Sequence, residues 1–187
     1  MKKITLFLLL ISSLYSSSSD TKFYLGTSYG YLNESFSDPI NNSGKSISSI
    51  SAQTAKVKFG YGIRDSYAVE FSIDYAQKDK NVFSSNDGDR YGLNLEVMKA
   101  FDWDIYINPF FKGGFGAGFL DIDNTTNSSL SYSSYNLGLG CFIPVTEYLD
   151  FEIGYSYKFT SYEKISNTSK KLNSNINIGY LGVNVRF

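Results

Sequence analysis

From residue 22 onward, apolar and polar residues alternate one by one, and they do so in eight separate runs. A period of two puts successive side chains on opposite faces of a strand. The three-to-four spacing of a helix persists nowhere. The runs predict strands at about 22–32, 52–62, 67–76, 90–99, 105–120, 134–143, 149–160 and 180–187. The third is the plainest, with Tyr67, Val69, Phe71, Ile73 and Tyr75 on one face and Ala68, Glu70, Ser72 and Asp74 on the other. The seventh sets Phe151, Ile153, Tyr155, Tyr157 and Phe159 against Asp150, Glu152, Gly154, Ser156 and Lys158.

The connections alternate as well. Those after the second, fourth and sixth strands are short, at 63–66, 100–104 and 144–148. Those after the first, third, fifth and seventh are long and polar, at 33–51, 77–89, 121–133 and 161–173. Short turns at one end and long loops at the other are the asymmetry of a barrel that spans an outer membrane. An even strand count brings both chain ends to the short-turn side.

A soluble barrel with its apolar face inward alternates in the same way. Volume separates the two folds. The apolar faces carry roughly 35 bulky residues, whereas an eight-stranded barrel is only just wide enough to be filled by side chains. Turned outward, they form a lipid-facing band, with Tyr31, Tyr61, Tyr67, Tyr75, Tyr91 and Tyr135 at strand ends where an aromatic girdle belongs. The prediction is an all-β, eight-stranded, antiparallel up-and-down transmembrane β-barrel.

The N-terminus bears on the compartment. Lys2 and Lys3 precede an apolar run from Ile4 to Leu14, followed by small polar residues from Ser16 to Ser19. This is the layout of a secretory signal peptide, and the run is shorter than the ~20 residues of a membrane-crossing helix. Residues 1–19 are expected to be the signal and 20–187 the barrel domain, exported to the outer membrane with its termini in the periplasm. Without Lys2 and Lys3 the chain carries 15 cations against 18 anions, a net charge of −3. No basic patch suggests nucleic acid.

Charge on the inward face is nearly balanced. Lys56, Lys58, Arg90, Lys112, Lys158 and Arg186 share it with Glu70, Asp74, Glu96, Asp150 and Glu152. In so narrow a lumen pairing is the expected state, because an isolated buried charge is costly. A charged path for ions is the other reading of the same residues. Inward glycines such as Gly114, Gly116, Gly118, Gly138 and Gly140 leave room for long side chains from neighbouring strands.

The catalytic options are few. The chain has no histidine, which removes a Ser-His-Asp triad and a histidine base. Its lone cysteine, Cys141, forms no intramolecular disulfide. No metal or cofactor site is expected; Asp121, Asp123 and Asn124 match no calcium loop and read as a solvated turn. In the fourth loop, Lys164, Lys170 and Lys171 read as solubilising charge, with contact to lipopolysaccharide phosphates as the alternative.

Three segments carry a family resemblance. Lys22-Phe23-Tyr24-Leu25-Gly26 with Tyr29-Gly30-Tyr31 resembles the first strand of the small OmpA/OmpX/Opacity-type outer-membrane barrels. The run from Asp150 to Tyr157 is similar to their penultimate strand, and Tyr180, Gly182, Val185 and Phe187 match their C-terminal assembly signal. The resemblance implies a Gram-negative outer-membrane protein inserted by the barrel-assembly machinery, in contact with outer-membrane lipid and lipopolysaccharide. No peptidoglycan-binding domain is expected. The expected role is structural or adhesin-like, non-enzymatic and carried by the extracellular loops toward a surface ligand or host receptor. A small low-conductance porin-like channel is the alternative.

Overall fold

The computed structural model describes residues 21–36, 50–77, 89–103, 105–121, 129–163 and 173–187. The expected signal peptide and most of the long loops, including Asp123, Asn124, Lys164, Lys170 and Lys171, lie outside the described residues.

Eight strands form one closed antiparallel barrel in which each pairs with its chain neighbours and β1 closes on β8. They are β1 (Lys22–Phe36), β2 (Ile50–Gly62), β3 (Tyr67–Gln77), β4 (Arg90–Ala100), β5 (Asn108–Asp121), β6 (Ser129–Pro144), β7 (Leu149–Tyr162) and β8 (Asn173–Arg186). Closure leaves no open sheet edge, which lipid would not tolerate. Both ends of the barrel wall meet on the short-turn side, where the Phe187 N–H donates to the Phe23 carbonyl over 2.9 Å.

The apolar face of each run points outward. Leu25, Val57, Phe71, Ile73, Leu95, Phe111, Leu139, Ile153 and Leu181 are between 45% and 63% exposed in the isolated chain, as lipid-facing residues should be. Aromatics rim this band. At the short-turn end the Phe23 ring lies 4.6 Å from Tyr61 and 5.6 Å from Phe59. At the loop end Tyr91 lies 5.3 Å from both Tyr75 and Phe119, its cross-strand partners. From Tyr67 to Tyr75 is about 27 Å along the strand, or about 20 Å after allowing for strand tilt, close to the apolar height such barrels present.

Beyond that band the alternation keeps its parity and reverses its sign. On β8, Ser174, Ile176 and Ile178 are buried inside, whereas Asn175 and Asn177 face out. On β1 Leu32 and Glu34 point in, and on β6 Leu130 and Tyr132 do so between outward serines. The exterior here is water rather than hydrocarbon, so polar residues take the outside. Several strands are therefore longer than the alternation of an outward apolar face predicts. β8 starts at Asn173 rather than near 180, β6 at Ser129 rather than near 134, and β1 ends at Phe36 rather than near 32. β5 is the opposite case, beginning at Asn108 and not near 105. Pro109, which has no N–H for a ladder, sits at its start.

Candidate functional site

The lumen is where the polar chemistry converges, and it is filled from one mouth to the other. Nearest the short turns lies an apolar cluster of Tyr24, Ala68, Met98, Ala100, Phe110 and Phe142, in which the Phe110 and Phe142 rings are 4.7 Å apart. A second cluster of Leu32, Ala52, Ala76, Ile176, Ile178 and Tyr180 lies toward the loops. These inward apolar groups add to the charged residues and glycines that the alternation places inside. Their sequence signal is weak, because each replaces one polar residue in a face that otherwise alternates correctly.

Between the clusters runs a charge network. Lys58 pairs with Glu152 and lies 3.8 Å from Glu70; Lys112 lies 3.1 Å from Glu70 and 3.5 Å from Glu96; Lys56 lies 3.6 Å from Glu96. Three neutral donors complete the carboxylates. Tyr24 Oη donates to Glu70 at 3.0 Å, and both Tyr180 Oη and Asn184 Nδ2 donate to Glu152 at 2.9 Å. One layer further, Lys158 Nζ donates to Asp74 at 2.9 Å and to Asn94 Oδ1 at 3.1 Å, while Asn94 also donates to Asp74. Asn136 supports this layer by donating to Asn94 Oδ1 over 2.9 Å.

Each mouth is held by an arginine and a carboxylate. At the loop end Arg90 stacks 4.2 Å from the Tyr132 ring and 3.7 Å from Glu34, which accepts from Tyr162 Oη at 2.7 Å and Ser174 Oγ at 2.6 Å. At the short-turn end Arg186 pairs with Asp150 and lies 4.9 Å from the Tyr24 ring. Asp150 is also met by Arg64, whose Nε is 2.9 Å away. Arg64 belongs to the β2–β3 turn, and its Nη2 donates to the carbonyls of Thr146 and Glu147 in the β6–β7 turn at 2.8 and 2.9 Å. Those turns stand on opposite sides of an eight-stranded ring, so this one side chain spans the mouth.

All eleven charged residues expected in the lumen lie on the inward face; Glu34, also inward, and Arg64, from the β2–β3 turn, join them. Glu34 was legible in principle, since it extends the even-numbered inward series of β1 by two residues beyond Leu32. Arg64 sits in a turn, where parity gives no direction. Small residues admit this packing. A side chain at Gly60 would collide with the Tyr24 ring, and a Cβ at Gly138 would come within 2.9 Å of Lys112. A small cavity of about 10 Å³, bounded by Ser28, Thr54, Lys56, Asp74, Ser156 and Tyr180, has room for about one water molecule.

The four residues matching the assembly signal divide between the two faces. Tyr180 and Gly182 are buried inside, and Tyr180 belongs to the lumen network through Glu152. Val185 and Phe187 face outward, with the terminal ring exposed at the short-turn rim.

The family model described as "Outer membrane protein beta-barrel domain" matches residues 4–187 of the chain. Among solved structures, Neisserial surface protein A is similar over 88% of this chain and 97% of its own, at 16% identity and a TM-score of 0.67. Ail, the attachment invasion locus protein of Yersinia pestis, aligns over 90% of this chain and 100% of its own, at 14% identity and a TM-score of 0.56. OprG from Pseudomonas aeruginosa aligns over 89% and 95%, at 17% identity and a TM-score of 0.55. No curated protein matches in sequence.

Proposed function

The chain belongs to the outer membrane protein β-barrel domain family, and on that premise we propose that it is a plugged surface barrel whose work is done by its loops. In this reading residues 1–19 direct export, residues 20–187 form the mature barrel, and its two ends face the periplasm. Assembly is read from Tyr180, Gly182, Val185 and Phe187 by the barrel-assembly machinery. The wall sits among outer-membrane lipid and lipopolysaccharide, and the long loops meet a surface ligand or host receptor.

The observation that carries the plugged reading is the continuous filling of the lumen. An ion entering from the loops meets Arg90 and Glu34, then an apolar cluster, two layers of mutually bonded charges and a second apolar cluster. Conduction requires sites weak enough for an ion to leave. Here Glu70 and Glu152 already hold ammonium, phenol and amide donors at hydrogen-bond distance, and Glu96 lies between Lys56 and Lys112. A barrel that does not conduct contributes through its rigidity and through what it displays. Catalysis is not part of the proposal: the chain has no histidine base, and each described lumen carboxylate is paired with a cation.

Planar-bilayer recording of refolded protein tests the plug. We expect no discrete conductance; stable steps that vanish in Lys112→Met or Glu70→Gln would replace it with the channel reading. A deletion strain scored together for adherence, detergent sensitivity and small-solute uptake tests the display role. Loss of adherence with unchanged uptake is the expected result.

A further inference from the structure

The β4–β5 turn differs from the other two short turns in its length and in what it exposes. It runs from 101 to 107, against four residues each at 63–66 and 145–148. Its base is closed by the Phe101 N–H, which donates to the Pro109 carbonyl at 2.8 Å, and by the Ala100 N–H, which donates to the Ser66 carbonyl at 2.6 Å. Past that base Phe101, Trp103, Ile105 and Tyr106 are all exposed, Trp103 at 62% and Tyr106 at 93%. Trp103 is the only tryptophan of the chain. The four side chains present on the order of 500 Å² of mainly apolar surface, the size at which a patch marks a binding site.

The bilayer is a poor cover for this turn. Lys99 marks the headgroup level on β4, since it pairs in register with the girdle residue Tyr67 and its Nζ lies 4.3 Å from that ring. Trp103 follows four residues later, up to about 10 Å further along the barrel axis. A headgroup layer is only about 6 Å thick. Asp102, exposed between Phe101 and Trp103, also opposes immersion in hydrocarbon.

The surrounding charge gives the partner its sign. Asp65, in the adjoining β2–β3 turn, and Asp102 are both exposed. The described cations of this corner are engaged. Lys99 donates to Ser66 Oγ at 3.3 Å and lies against the Tyr67 and Phe101 rings, while Arg64 is bonded into the mouth. A protruding knob of aromatic and aliphatic side chains with an acidic rim is complementary to an apolar groove with a basic rim. Sugar rings would use the aromatic faces and leave Ile105 idle.

We propose that the β4–β5 turn docks into an apolar, arginine- or lysine-rimmed groove of a periplasmic protein. Trp103 and Tyr106 enter the groove, and Asp65 and Asp102 meet its rim. The area is below the ~800 Å² per partner of a stable complex, so the contact is transient. It rests on the short turns facing the periplasm, and it belongs to the folded barrel rather than to its assembly.

Photocrosslinking in cells tests it, with p-benzoylphenylalanine replacing Tyr106 or, as a control on the wall, Leu137. Position 106 should give one discrete protein adduct that position 137 lacks, and the crosslinked peptide should carry arginine or lysine. That protein, purified and fluorescently labelled, is then titrated with the refolded full chain. Ile105→Ser and Asp102→Lys should each weaken binding at least tenfold, whereas Glu147→Lys, on another short turn, should change it less than twofold. Heat-dependent gel mobility in cells should show all three variants as folded as the parent. Less folded protein would assign the turn to assembly and overturn the proposal. So would the absence of an adduct, adducts to lipid or glycan alone, an acidic contact peptide, or undiminished binding in Ile105→Ser or Asp102→Lys. In a Cys141→Ser background, labelling of Tyr106→Cys on intact cells by an impermeant thiol reagent would overturn the periplasmic placement itself. An unlabelled cysteine with no adduct at 106 would overturn the docking alone.

Discussion

Glu152 on β7 ties β2 and β8 into the lumen network. It is buried, and it accepts from an ammonium, a phenol and an amide contributed by β2 and β8. Replacing it with alanine strands Lys58 in the interior, with only Glu70 at 3.8 Å as a partner. Breaking one side of such a buried pair costs about 3–5 kcal/mol. Urea unfolding of refolded protein should show Glu152→Ala less stable by that order, with Glu152→Gln less affected because the amide oxygen still accepts from Tyr180. Equal stability of Glu152→Ala and the parent would mean that the network adds nothing to the fold. At this scale the sequence was legible through parity, which places a side chain in or out and no more. Which lysine meets which glutamate depends on the stagger between strands, and that is not written in any single strand. Arg64 escaped because a turn has no parity at all.

At the scale of the strand, the bilayer-facing segments were the readable ones. Alternation of large apolar residues with polar ones signals a wall with lipid outside, and eight segments showed it. Where β8 rises above the lipid, Ser174, Ile176 and Ile178 take the inside while Asn175 and Asn177 take the outside. A search for outward apolar residues passes over that stretch, although its period is unchanged. The reversal gives a direct check. In a Cys141→Ser background, a cysteine at Asn177 should react with a membrane-impermeant thiol reagent on intact cells, and one at Ile178 should not. Equal labelling of both would place the strand's start closer to Tyr180. The last strand also carries the expected assembly signal, whose outward members, Val185 and Phe187, are free of the lumen network. Deleting Phe187 should therefore lower the amount of folded protein in the outer membrane without lowering the stability of what is folded, as read by heat-dependent mobility and urea unfolding.

For the whole molecule, closure and filling are one fact. An eight-stranded ring is narrow enough for side chains from opposite walls to touch, and here they do. Arg64 joins opposite turns across the mouth, Glu34 on β1 lies beside Arg90 on β4, and Lys158 on β7 bonds Asp74 on β3. Neutral stretches of the lumen were not legible, because Phe110, Met98 and Ile176 look, residue by residue, like interruptions of a polar face. Between these two apolar clusters lie the ion pairs of Lys56, Lys58, Lys112 and Lys158, and outside them lie the arginine pairs of the mouths. In the plugged reading proposed above, this filling is what keeps solutes from passing.

The pairs that reach across the lumen bear on how such a wall comes into being. Lys58 and its carboxylate partner Glu152 are 94 residues apart, and Lys158 and Asp74 are 84 apart. Neither pair forms within a single hairpin, so a sheet of three or four strands lying in lipid would expose bare ammonium and carboxylate groups to hydrocarbon. That penalty falls on every partly closed arrangement and vanishes when β1 meets β8. The interior charges thus disfavour stepwise insertion and reward a cooperative one, in which the ring closes before the wall is given over to the bilayer.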